Sequence, residues 1–211
     1  DFSYMNVSRD CGAVARLVWK DSRLMMMMPF QLIFGYTAGY VPYYIFGTIV
    51  SESPYLGTSS VGFLSALVVL AGALVAIPSA YFSNIFGKDK ILIVGAVLIS
   101  TVGWPLFFYT NEQLGQRVVI ILILICYGTG RGIWEVINKA VLVDFFAQDG
   151  TEKVSAAFSA SSFANGYASG LGFFMFPYLS RTRIAFVCVV GCLFSLITFL
   201  FSFKLQKNRL A

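Results

Sequence analysis

Residues 118–146 read VVIILILICYGTGRGIWEVINKAVLVDFF, and this run decides the class of the fold. A helix needs about 20 predominantly apolar residues to cross the hydrocarbon of a bilayer, so the run is long enough to span. Near its middle stand Arg131, Glu135 and Lys139, each costly in lipid unless it faces protein or water. At about 100° per residue, Glu135 lies about 40° from Arg131 and Lys139 about 40° beyond it, with Asn138 about 20° to the other side of Arg131. The four form one polar stripe. Glu135 is four residues from both Arg131 and Lys139 and can pair with either.

The stripe has two readings: a midplane site for substrate or a coupling ion, or an ion-pair network that locks helices together. The first is favoured, because apolar packing can replace a purely structural pair at little cost, whereas it cannot replace a group that binds or titrates. Arg131, Glu135, Asn138 and Lys139 are therefore the candidate substrate or ion pathway. Asp144 and Asp149, nearer the end of the run, read as interfacial. Gly128, Gly130 and Gly132 flank Arg131 but do not make a phosphate loop, since no strand precedes them and no Lys-Ser or Lys-Thr follows. Their smallness lets a partner helix approach, or lets this helix distort at its charged point.

Outward from this run the pattern repeats. The 211 residues are 58% hydrophobic and 12% charged, with a mean hydropathy of +0.78; a soluble domain carries about a quarter charged residues. Further apolar stretches cover 24–46, 57–82, 90–110, 154–178 and 183–203. The expectation is an all-α membrane protein of six transmembrane helices, with a cytoplasmic or interfacial segment at 1–23, a bundle at 24–203 and a tail at 204–211. The first ten residues show no basic region leading into an apolar run and cleavage site. With no initiator Met, the expectation is a fragment or a processed product.

The net charge of +5 does not point to nucleic acid, because the basic residues are spread over the connections instead of forming one face. Membrane orientation accounts for them. With the N-terminus cytoplasmic, that side holds Arg9, Arg16, Lys20, Arg23, Lys88, Lys90, Lys153, Lys204, Lys207 and Arg209, against Arg117, Arg181 and Arg183 opposite. The asymmetry places both ends inside, where the sequon Asn6-Val7-Ser8 would go unused. Residues 9–23 mix basic and apolar positions, as a short interfacial helix does, with Trp19 at headgroup level.

The first span carries Pro29, Gly35, Gly39 and Pro42, the marks of a helix that bends. Tyr36 and Tyr40 there, with Asn165 of the fifth span, are candidate cavity-lining residues, although an aromatic cluster toward a helix end more often forms an interfacial belt. Ser162, Gly166 and Gly170 recur every four residues and read as a helix-packing stripe. Gly87 supplies the turn of a tight basic hairpin between the second and third spans. Cys11, Cys126, Cys188 and Cys192 suggest no disulfide framework. No His exists to complete a metal site with the last two, so packing is their reading. Nothing calls for a metal or cofactor, and no serine elbow or other catalytic constellation is present.

Six spans, a basic hairpin after the second and both ends cytoplasmic resemble the C-terminal half of a major facilitator superfamily transporter. Where that family's loop signature reads G-x-x-x-D-R-x-G-R-[RK], this chain offers Ala80, Asn84, Ile85, Gly87, Lys88 and Asp89, matching at the glycine and one basic residue. The chain is most similar to the Unc-93-like branch, through P-F-x-L-x-F-G-Y-x-x-G at Pro29–Gly39 and G-x-G-R-G-I-W-E-x-x-N-K-A-V-x-x-D-F-F at Gly128–Phe146. The small-residue pattern at 156–172 adds to the likeness. The resemblance implies transport of a small solute or ion by alternating access, within the lipid bilayer and beside a missing N-terminal six-helix half. That branch also implies an alternative, a non-transporting accessory subunit in a larger membrane complex, of the channel-regulator or trafficking-partner type.

Overall fold

A computed structural model of the chain describes residue 12 and residues 14–210; Arg9, Cys11 and the Asn6–Ser8 sequon lie outside them. Among the described residues there is no strand, and six long helices carry the architecture. They are α1 (Ser22–Val50), α2 (Val61–Phe86), α3 (Lys88–Phe108), α4 (Arg117–Phe146), α5 (Thr151–Met175) and α6 (Arg181–Leu210). The segment expected as a tail at 204–211 thus begins as a continuation of α6. The third span, expected as one run over 90–110, turns at 101–104 before resuming at Pro105–Phe108.

Five of the six helices are long and apolar enough to cross a membrane; the exception is α5. Its 25 residues suffice in length, but the SASSFANGYASG stretch lowers its hydropathy. Of the six expected spans, five are supported on length and composition together. Large apolar side chains are exposed along α2, including Val69, Leu74 and Ile77, the last 82% exposed. Water would not tolerate so continuous an apolar face in a monomer.

Each helix follows from local chemistry. Asp21 caps α1, accepting from the Arg23 backbone N–H at 3.0 Å. In the Gly39–Pro42 region α1 loosens from α-helix, which runs to Tyr40, into a π-helix over Val41–Val50. Pro42 has no N–H, and its ring clashes with the preceding turn, so a wider winding accommodates it. Gly87, at φ +98°, ends α2 and opens α3, as the hairpin reading required; Gly150, at φ +102°, joins α4 to α5. Residues 14–20 are helical, packing Val14, Leu17 and Val18 against the core while Trp19 stays exposed.

The helices pair by exchange. α1 packs against α5 and α6, whereas α4 packs against α2 and α3, so each triplet lends its first helix to the other triplet's pair. Close backbone approach makes this possible. A Cβ at Gly128 would overlap the Val68 carbonyl oxygen, one at Gly132 that of Gly72, and one at Gly130 would stand 2.7 Å from the Gly95 oxygen. The three glycines around Arg131 therefore seat α4 against α2 on one side and α3 on the other. Gly35 of α1 meets the Asn165 backbone of α5 in the same way. In the centre Phe30 meets Trp134 at a tilt, with ring centres 3.8 Å apart, and stacks on Phe199 at 4.7 Å, tying α1, α4 and α6 into one core.

Candidate functional site: the charged face of α4

The exchange leaves one face of α4 partly uncovered. A groove of about 410 Å³ runs between α2 and α4, lined by Val68, Val69, Gly72, Ala73 and Ala76 from one side and Gly128, Arg131, Gly132, Glu135, Val136 and Lys139 from the other. Three of the four pathway candidates thus share a groove. The glycine crossing sets its depth, since larger residues there would hold the helices apart.

Within the groove Glu135 accepts from Lys139 Nζ at 2.8 Å, with both side chains at least half exposed. Arg131 has no carboxylate within 4 Å among the described residues; its guanidinium lies 5.6 Å from the centre of the Phe34 ring, a cation–π contact. Of the two pairings open to Glu135, the structure forms the one with Lys139.

Asn138 turns the other way. It is buried and exchanges amide hydrogen bonds with Gln31 of α1, Gln31 Nε2 donating to Asn138 Oδ1 at 2.6 Å and Asn138 Nδ2 to Gln31 Oε1 at 3.3 Å. The pair satisfies two buried side chains that would otherwise be costly and bridges α1 to α4. Gln31 was missed by sequence reasoning; its one signal was a lone amide in an apolar span.

The tyrosines expected at a cavity are packed instead. Tyr40 is fully buried and donates to the Val102 carbonyl at 2.9 Å, while Tyr36 donates to the Ile184 carbonyl at 2.9 Å and meets Phe176 edge-on. They stitch α1 to α3 and α6. Asn165 is half-buried, and its backbone receives Gly35. The stripe of Ser162, Gly166 and Gly170 is exposed, with nothing within 4 Å of a Cβ placed on either glycine. Within this chain α5 packs through its opposite face, at Ala157, Ala160, Ser161 and Ala164. Cys188 and Cys192 are buried and unbridged, and Cys188 packs near Gly103.

A second charged constellation was not foreseen. Arg23, 5% exposed, donates through Nε and Nη2 to Asp21 at 2.9 and 2.6 Å, through Nη2 to Asp149 at 2.8 Å, and through Nη1 to the Phe145 carbonyl at 2.6 Å and Gln206 Oε1 at 2.7 Å. Its guanidinium also lies 4.6 Å from the centre of the Phe146 ring. Arg209 closes the set with two bonds to Asp149, at 3.0 and 2.9 Å. Burial alone would raise the Asp21 carboxyl, but the hydrogen bond and charge of Arg23, with Arg209 behind, hold it below the usual carboxylate range.

This cluster joins the start of α1 to the end of α4 and the end of α6, so the two ends of the described bundle meet on one side. Lys88 pairs with Asp144, adding the α2–α3 hairpin to the end of α4. Arg117 and Arg181 donate to the Tyr55 and Tyr109 carbonyls in the connections that begin and end at the opposite side. Comparisons with family models, with functionally described proteins and with solved structures give no match to this chain.

Proposed function

We propose that this chain is one six-helix half of an alternating-access transporter for a small solute or ion, with the α2–α4 groove on the pathway. The observation that carries the proposal is the depth of the exposed charges. The centre of α4 falls beside Arg131; at about 1.5 Å per residue Glu135 stands about 5 Å beyond it and Lys139 about 11 Å, inside a hydrocarbon half-thickness of about 15 Å. An ion pair that is half exposed at such a depth must meet water or another protein surface, not lipid. The exchange of first helices between triplets supports the same reading, because it is the pairing expected of inverted repeats around a midplane site. On this reading α5 crosses the membrane despite its lower hydropathy, its uncovered small-residue stripe lying against the second half.

The accessory-subunit reading is the weaker one, since a surface kept only for a permanent partner gains nothing from an open groove lined by charge. The test is flux through the full-length protein in liposomes. Glu135→Gln removes the carboxylate and leaves Lys139 unpaired. Flux is expected to fall by about tenfold, the factor given by about 1.4 kcal/mol of lost interaction. Unchanged flux would remove Glu135 from the pathway.

A further inference from the structure

The groove contains an imbalance of charge. Glu135 is already satisfied by Lys139 at 2.8 Å, which leaves the guanidinium of Arg131 near the centre of α4 with no carboxylate partner among the described residues. It meets the Tyr127 hydroxyl, which leaves most of its five donors unspent, whereas Arg23 uses its donors on Asp21, Asp149, Gln206 and a carbonyl. An arginine cannot shed its charge by losing a proton, so at this depth it calls for an anion. Its planar donor fork matches a carboxylate with two parallel bonds. Around it the groove is apolar, with Val68, Val69, Ala73, Ala76 and Val136. The volume of about 410 Å³ is within the range of small-molecule sites.

We infer that Arg131 receives the carboxylate of a small organic anion whose short apolar body lies along the α2 side of the groove. The inference rests on the transport reading only for the fate of that anion, not for its binding. The Glu135–Lys139 pair borders the carboxylate subsite and keeps the second cation from competing for it. Phe34, beneath the guanidinium, holds the fork in place from the α1 side. A neutral solute of the same shape leaves Arg131 without a counter-charge and is rejected for that reason.

The test uses the full-length protein in lipid nanodiscs and radiolabelled benzoate, with benzamide as the neutral isostere and hexanoate as a competitor. Benzoate is expected to bind at micromolar to millimolar concentration, hexanoate to displace it, and benzamide to bind at least about tenfold more weakly, the discrimination that about 1.4 kcal/mol provides. Arg131→Gln is expected to abolish the preference for benzoate, and Arg131→Lys to retain part of it. Thermal unfolding of each variant separates lost binding from lost folding. If Arg131→Gln does not fold, the benzoate–benzamide comparison in the parent protein and in Arg131→Lys decides the matter.

Equal binding of benzoate and benzamide would overturn the inference, as would undiminished benzoate preference in Arg131→Gln or no carboxylate binding at all. Counterflow in liposomes separates the two proposals. Carboxylate binding without counterflow would sustain the anion site and defeat transport. Counterflow of a cation without carboxylate binding would sustain transport and defeat the anion site.

Discussion

Replacing Arg23 by alanine is expected to destabilise the folded bundle by about 3–5 kcal/mol, the cost of removing one partner from a buried ion network. The Arg23 side chain is 6% exposed and those of its partners Asp21 and Asp149 17% and 12%, so the carboxylates left behind cannot recover full hydration. Asp149 keeps Arg209; among the described residues Asp21 keeps no partner at comparable distance, and the Phe145 carbonyl and Gln206 lose their donor. Lys139→Ala is the contrast, because its pair with Glu135 is half exposed and exposed pairs contribute about 0–1 kcal/mol. Thermal or denaturant unfolding of both variants in one membrane mimetic measures the difference.

The effect also has a sign in pH. The Asp21 carboxyl is lowered in the folded protein, so its contribution is present above the ordinary carboxylate value of about 3.9 and is lost as pH falls through the lowered folded value. The gap between the parent protein and Arg23→Ala should therefore narrow toward acid. A gap that widens on acidification would contradict the assignment.

The second large effect is expected where backbones touch. Gly132→Ala places a methyl group on the Gly72 carbonyl, and no rotamer change can move a main-chain oxygen. α2 and α4 must part, at a cost of about 1–3 kcal/mol for overpacking, and Gly132→Leu should exceed that and block assembly. Gly166→Ala on α5 should change stability by less than about 0.5 kcal/mol, since nothing lies within 4 Å of the new Cβ. Both are glycines in long apolar helices, and unfolding measurements on the two variants of this chain tell them apart. Equal effects would mean that the α2–α4 crossing is not where the glycines place it.

That contrast shows what the residues reveal before any coordinates. Helix positions and lengths are legible because apolar runs long enough to span are a strong one-dimensional signal, and Gly87 marks its turn because a tight link between two helices needs positive φ. Which small residues are packed is not legible. Gly128, Gly130 and Gly132 lie close together and contact two different helices, whereas of the regularly spaced stripe Ser162 is exposed and Gly166 and Gly170 have nothing among the described residues within 4 Å of an added Cβ. Spacing defines a face but not its occupant.

The same limit governs the polar residues. Periodicity puts Arg131, Glu135, Asn138 and Lys139 on one stripe, yet about 60° of arc separates Asn138 from Glu135, enough to turn one toward Gln31 in the core and the other into the groove. Tyr36 and Tyr40 are drawn into the bundle, their hydroxyls donating to the Ile184 carbonyl near the start of α6 and to the Val102 carbonyl where α3 turns. The Arg23 network joins residues more than 120 positions apart in the sequence, and no local pattern announces it. Asp149 reads as an interfacial acid until the fold brings it, with Asp21, to one guanidinium.

The most direct test of the central claim, that the charged face of α4 lines a water-accessible pathway between two halves, is the accessibility of position 135. In the full-length protein, with the native cysteines replaced, Glu135→Cys should react with a membrane-impermeant maleimide added from either side of the membrane as the halves alternate. A residue that reacts from neither side would place this face in a closed protein contact and contradict the account.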